Sequence, residues 1–159
     1  MKFTEDRLEQ AIIELLASEG YPHTLGEVLD RSPDDVLIKS DLRAFLASRY
    51  EADAITDYEI ESIIHKLEYL PASDLYDTNK AIMKFIADGF FLKRDDYTQK
   101  DLYIQLIDYD AINNNRYRIV SQMEIQGYER RIPDGILYIN GLPLVVFEFK
   151  SSIREDATM

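Results

Sequence analysis

The pair Asn140-Gly141 limits what this chain can fold into more than any other two residues. It separates two apolar runs, Ile136 to Ile139 and Leu142 to Phe149. Asn-Gly between β-rich runs is the strongest short-range hairpin signal, because a type I′ turn needs positive φ at both central residues. Pro143 lacks a ladder donor and argues for pairing that starts past it. The second run is almost wholly apolar, the pattern of an inner strand buried on both faces. Glu148 and Lys150 break that run at its far end.

Side chains alternate along a strand with period two. Glu148 and Lys150 are therefore expected on one face, with Phe149 on the other, toward the core. A hairpin also brings the start of its first strand beside the end of its second. Asp134, which opens the first strand, is thus expected to meet Glu148 and Lys150 at one end of the sheet. Two carboxylates suit Mg²⁺, a hard cation that prefers oxygen ligands and keeps several waters. Such an ion can activate water and offset charge in a phosphoryl transition state. A lysine beside it can position that water or stabilise developing charge. The expected reaction is metal-dependent hydrolysis of a phosphodiester. The competing reading is a surface ion-pair cluster, which is what charges at a strand end usually form. Charges that interrupt an otherwise apolar run fit that reading poorly.

Pro133-Asp134, thirteen residues, then Glu148-Phe149-Lys150 resembles the PD-(D/E)xK nuclease motif. The bare spacing arises often by chance, and its context is more specific. The stretch RRIPDGILYINGLPLVVFEFKSSIREDAT closely resembles the nuclease segment of the R (HsdR) subunit of type I restriction enzymes. The likeness extends upstream through ASDLYDTNKAIMKFIADGF and LIDYDAINNNRYRIVSQMEIQG, covering nearly the whole chain. It implies that Asp134 and Glu148 are metal ligands, with the Phe149 main-chain carbonyl as a further one. Lys150 is then the catalytic base or charge stabiliser. Glu9, on the first helix, is implied as an additional acid within reach of the metal; a solvated surface glutamate is its competing reading. The implied cofactor is Mg²⁺, with Mn²⁺ as a substitute, and ATP would act only through downstream domains. The implied partners are double-stranded DNA and the methyltransferase and specificity subunits of a restriction complex. Family members often carry a glutamine and a tyrosine in a helix after the lysine, and this chain stops before them. It is therefore expected to be a C-terminally truncated nuclease domain, residues 1–159, whose cleavage activity alone is left open. The alternative is a catalytically inert nuclease-fold module that docks onto partner subunits.

Composition bears on these readings. At 159 residues one compact domain is expected, and about 70% of the unfolded surface can be buried at that size. There is no cysteine, which rules out a disulfide framework and a thiolate metal site. No apolar run approaches the roughly 20 residues of a membrane span, and the N-terminus lacks a signal-peptide layout; a cytoplasmic location is expected. The net charge of −12 is unusual for a DNA-binding domain, since affinity comes largely from neutralising phosphates. Most DNA grip is therefore expected elsewhere in a longer protein. Arg116, Arg118, Arg130 and Arg131 are the one basic concentration, with phosphate contact and pairing to nearby acids as equal readings. No G-x-x-x-x-G-K-[ST] loop is present to cradle ATP phosphates.

The pattern along the chain predicts an α+β (α/β) fold. It is a restriction-endonuclease-like PD-(D/E)xK core with a mostly antiparallel sheet of about four strands flanked by helices. Residues 1–20 are expected to form the first core helix, 21–89 a helical insertion, and 90–159 the sheet with the active-site hairpin. In the first helix, Thr4 is the expected N-cap and Leu8, Ala11, Ile12, Leu15 and Leu16 the apolar stripe. His23 falls in a loop and His65 off the main stripe of its helix; neither has a metal-binding partner motif. Residues 34–40 are compatible with a strand or a helix start, and a helix from Ser40 with Leu42, Phe45, Leu46 and Tyr50 inward is preferred. Thr56 and Glu59 form a capping box for a helix carrying Ile60, Ile63, Ile64 and Leu67. Ser73 or Asp74 caps the next helix, which Gly89 ends. Alternation predicts strands over 101–107 and 117–125.

Overall fold

The computed structural model describes residues 5–70, 75–127 and 129–150. The expected caps Thr4, Ser73 and Asp74 lie outside them. The chain divides into two compact units, one formed by residues 1–38 with 117–159 and the other by residues 39–116.

The first unit holds helix α1 (Glu5–Ser18) and strands β1 (His23–Leu25), β4 (Tyr117–Ser121), β5 (Ile125–Gln126), β6 (Arg130–Arg131), β7 (Gly135–Ile139) and β8 (Leu142–Phe147). Four of these make a sheet in the order β1-β4-β7-β8. β1 runs parallel to β4, and the other two pairings are antiparallel. The sheet is thus mostly antiparallel and four-stranded, as the pattern predicts.

The β7–β8 hairpin follows from the turn residues. Asn140 has φ +53° and Gly141 φ +77°, the left-handed pair that a type I′ turn requires. Pairing begins directly at Ile139 with Leu142 and includes Tyr138 with Pro143, so it does not wait until Pro143 has passed. The register slips between Leu137 and Tyr138, and this bulge accommodates the proline. β8 is also an edge of the described sheet, not an inner strand, and it leaves Val145 43% and Val146 59% exposed. Its apolar character overstated its burial.

On one face of the sheet Val120, Ile136 and Tyr138 pack with Ile38 and Met123 into a buried core, flanked by Leu29 and Ile125. The Tyr138 hydroxyl donates to the Val36 carbonyl at 2.9 Å, and burial pushes this phenol's pKa up. α1 packs against β4. Its buried residue is Ile13, with Leu8, Glu9, Ile12 and Leu16 half-buried, whereas Ala11 is exposed and Leu15 is 58% exposed. The inward face is therefore rotated from the expected stripe and includes Glu9, one turn before Ile13.

Two strands depart from the sequence pattern. β1 covers His23, which the sequence pattern puts in a loop, and the His23 Nε2 lies 2.8 Å from Ser121 Oγ on the neighbouring strand. The strand expected over 117–125 breaks after Ser121, because Gln122 takes φ +53°. Strict alternation would set Met123 opposite Val120, yet both are buried in the same core. The left-handed residue between them supplies the turn of face.

The second unit contains α2 (Lys39–Arg49), α3 (Asp57–Glu68), α4 (Leu75–Asp88), β2 (Phe90–Leu92) and β3 (Leu102–Ile104). Residues 34–38 form no helix or strand, and α2 begins at Lys39 with Leu42, Phe45 and Leu46 buried. The capping box is present: the Glu59 N–H donates to Thr56 Oγ1 and the Thr56 N–H to Glu59 Oε2. Ile60, Ile63, Ile64 and Leu67 are all buried along α3, and α2 packs on α3. Gly89, at φ +70°, ends α4. The strand expected over 101–107 is only β3, and it pairs with β2 as a separate two-stranded sheet rather than joining the four-stranded one. Its ladder stops where the Tyr50 hydroxyl takes the Gln105 N–H at 2.6 Å. Among the described residues no helix is long and apolar enough to cross a membrane.

Candidate active site

The outermost rung of the β7–β8 ladder pairs Gly135 with Phe147. One residue outward on each strand stand Asp134 and Glu148. They are cross-strand neighbours at the open end of the hairpin, where side chains of facing residues come within about 5 Å. Asp134 is half-buried and its Oδ2 accepts a 2.6 Å hydrogen bond from the Phe149 N–H. The expected alternation holds through this end. Phe149 is half-buried and stacks on Phe147, ring centroids 6.1 Å apart, which leaves Glu148 between them to face the other way. Glu148 and Lys150 are both exposed to solvent.

The same end of the sheet gathers two further residues. Two steps past the pair Val120 with Ile136, β4 leads to Gln122 and β7 leads back to Asp134. The Gln122 side-chain amide reaches Glu9 of α1, Nε2 to Oε1 3.4 Å. Glu9 thus touches the end of the sheet that carries Asp134 through a solvent-exposed contact. The alternating pattern over 117–125 reads Gln122 as an ordinary strand residue, because a glutamine within such a run carries no signal of a left-handed backbone.

Asp134 and Glu148 are oxygen donors of the kind a hard divalent ion takes, and each stands one residue past the Gly135–Phe147 rung. Asp134 Oδ1 has no hydrogen bond among the described residues, since the Phe149 N–H engages Oδ2. Among those residues, no group of three or more acidic, histidine or cysteine side chains is arranged to hold a metal. Two carboxylates alone would leave most of a divalent ion's coordination shell to water. His65 stacks on Tyr69 with ring centroids 4.3 Å apart. Arg130 pairs with Glu124 at 2.8 Å and Arg131 with Glu129 at 3.5 Å, so two of the four clustered arginines balance acids.

The family model for the type I restriction enzyme R protein N terminus matches residues 2–158. The chain belongs to this family. It is 30% identical to the type I restriction enzyme HindI endonuclease subunit of Haemophilus influenzae over 98% of its own length and 16% of that protein. It is 26% identical to the putative type I restriction enzyme MjaIXP endonuclease subunit of Methanocaldococcus jannaschii, over 94% of the chain and 15% of that protein. The chain therefore spans about a sixth of the length of the curated relatives it matches. The match places the chain in the N-terminal region of the R protein.

Proposed function

We propose that this chain is the endonuclease domain of a type I restriction enzyme R subunit, with a restriction-endonuclease-like PD-(D/E)xK core. Its reaction is magnesium-dependent hydrolysis of DNA phosphodiester bonds, with Mn²⁺ able to substitute. In the longer protein that cleavage is coupled to ATP-driven translocation by domains beyond this one. Methyltransferase and specificity subunits are the partners, and the specificity subunit chooses the DNA sequence. The observation that supports the reading is the Phe149 N–H bond to Asp134 Oδ2, one residue past the outermost rung of the hairpin.

Asp134 and Glu148 would hold the ion, with the Phe149 carbonyl as a third oxygen. A bound Mg²⁺ supplies positive charge beside the scissile phosphate. The chain's own residues do the rest. The Phe149 N–H fixes the Asp134 carboxylate, so that ligand is oriented before the ion arrives. Lys150, two residues past Glu148, would hold the attacking water or stabilise charge on the phosphate. An acidic chain of net charge −12 repels DNA at long range, which fits a domain that receives its substrate from partners rather than capturing it.

The decisive experiment uses the full-length subunit in its complex. Lys150→Ala is expected to abolish DNA cleavage and leave ATP hydrolysis intact. Cleavage at the wild-type rate by that variant would remove Lys150 from the chemistry. A docking module without catalysis would instead show no metal binding in the wild-type protein.

A further inference from the structure

We propose that the outer face of the β2–β3 ribbon is a docking surface for an arginine-bearing segment of a partner protein, built from the aromatic pair Phe91–Tyr103 and the carboxylates of Asp88 and Asp101. It stands apart from the nuclease reading and concerns the second unit alone.

The two faces of the ribbon differ because of its register. Phe90 pairs with Ile104, Phe91 with Tyr103 and Leu92 with Leu102. Side chains alternate along each strand, so Phe90, Leu92, Leu102 and Ile104 share one face and Phe91 and Tyr103 the other. The first face is the inner one: Phe90 and Ile104 are buried, and Leu92 and Leu102 half-buried. On the second, Phe91 is 70% and Tyr103 42% exposed, with ring centroids 5.1 Å apart. A single exposed aromatic is ordinary, whereas two that touch across a ladder make a continuous apolar patch. Tyr103 is anchored, since its hydroxyl donates to the Asp88 carbonyl. The platform is therefore formed before a partner arrives.

Charge selects the partner. Asp88 lies past the Phe90–Ile104 end of the ladder and Asp101 past its Leu92–Leu102 end, so an acid stands beyond each end of the aromatic pair. Both are exposed, and among the described residues neither carboxylate has an ion-pair partner. Lys93, which faces Asp101 one step past the ladder, lies instead 5.9 Å from the ring centre of Tyr97. Over residues 88–101 Asp88, Asp95, Asp96 and Asp101 oppose Lys93, Lys100 and Arg94, and Arg94 is buried against Glu59. The exposed surplus is acidic, which repels phosphate and disfavours a nucleic acid. A cation that also covers an aromatic ring fits both features. Arginine does so: its planar guanidinium stacks on a ring and forks to a carboxylate, whereas an ammonium is a compact, strongly hydrated point charge. Arginine and aromatic side chains are also what protein interfaces enrich.

The test titrates the chain, by calorimetry at low ionic strength, with two peptides of equal length and charge, one alternating arginine with serine and the other lysine with serine. The wild-type chain should bind the arginine peptide roughly threefold or more tighter, the scale of one exposed cation–π stack. Phe91→Ser should abolish that preference with an unchanged melting temperature, because the ring it removes is mostly in solvent. Asp101→Asn should weaken both peptides. Tyr58→Ser, which removes an exposed tyrosine from α3, should alter neither. Failure of both peptides to bind, equal affinity for the two, or a preference that survives Phe91→Ser would each overturn the proposal. Binding of a single-stranded DNA oligonucleotide that is lost in Phe91→Ser would overturn it as well, assigning the face to nucleic acid.

Discussion

Asp134 accepts a 2.6 Å hydrogen bond from the main-chain N–H of Phe149, which ties the entry of β7 to the exit of β8. The contact serves two purposes that substitution can separate. Asp134→Asn keeps an oxygen for the Phe149 N–H but removes the charge, whereas Asp134→Ala removes both. DNA cleavage by the assembled enzyme should fall by roughly two orders of magnitude or more in each, the scale of losing an electrostatic stabiliser. Stability should distinguish them: about 1 kcal/mol lost in Asp134→Asn and about 2 kcal/mol in Asp134→Ala. Urea denaturation of both variants measures the difference. Equal stabilities would show that the hydrogen bond is not what holds this end of the hairpin.

Gly26 is a second place where a single atom decides. Its φ is ordinary, so the constraint is space rather than conformation. In Gly26→Ala the new Cβ meets the main chain of Met123, which cannot rotate away as a side-chain tip would. The strand end must shift, at a cost of roughly 1–3 kcal/mol. Chemical denaturation should report that loss, and an unperturbed midpoint would contradict the close approach of β1 to the break at Gln122.

What was legible in the sequence is what local chemistry specifies. The capping box at Thr56 and Glu59, the stripe Ile60-Ile63-Ile64-Leu67 and the Asn140-Gly141 turn each write their geometry within a few residues, and each is found as read. The resemblance to the R subunit also led to the family that the chain belongs to. What escaped depends on distant partners. β1 is three residues long, and its parallel pairing with β4 joins His23 to Ile119 across nearly a hundred residues. The break at Gln122 is imposed by Gly26 and the Tyr138 core, neither of which is near it in sequence. β8 looked like an inner strand because hydropathy reports apolar character and not which neighbours cover it. At the candidate site, alternation foresaw the placing of Phe149 opposite Glu148, while the link between Gln122 and Glu9 needed the fold.

Acid should weaken the second unit in a particular way. The Arg94 guanidinium, helped by the Thr56 N–H, holds the buried Glu59 carboxyl below the ordinary carboxylate range. The Ala111 N–H and the Asn114 amide do the same for Asp108, which also pairs with Arg49. A carboxyl with a depressed folded-state pKa stabilises the protein fully above its unfolded value, about 4, and loses that contribution as pH falls through the lower folded value. Thermal melting should therefore change little from these groups between neutral pH and pH 5, then drop steeply below about pH 4. Glu59→Gln should flatten that acid limb and lower the melting temperature at pH 7, because Arg94 remains buried opposite a neutral group. An acid limb identical to wild type would place the titrating group elsewhere.

The hairpin turn offers the last prediction, because it links stability to the site. Asn140 holds φ +53° and is fully buried, and the Gly141 carbonyl accepts the Ile38 N–H at 2.9 Å. Asn140→Ala puts a residue with no local hydrogen-bonding side chain into the left-handed region, which costs about 1–2 kcal/mol. Asn140→Gly removes that backbone cost but also the buried amide, so the difference between the two variants isolates the turn conformation. The turn also sets the register that makes Asp134 and Glu148 neighbours, and a one-residue slip would send their side chains to opposite faces. Asn140→Ala should accordingly lose Mn²⁺ affinity in proportion to the fraction of molecules with a slipped hairpin, while Asn140→Gly retains more of it. If Asn140→Ala is destabilised yet binds Mn²⁺ like the wild type, the register must be held by the Asp134–Phe149 bond and the bulge at Pro143 rather than by the turn.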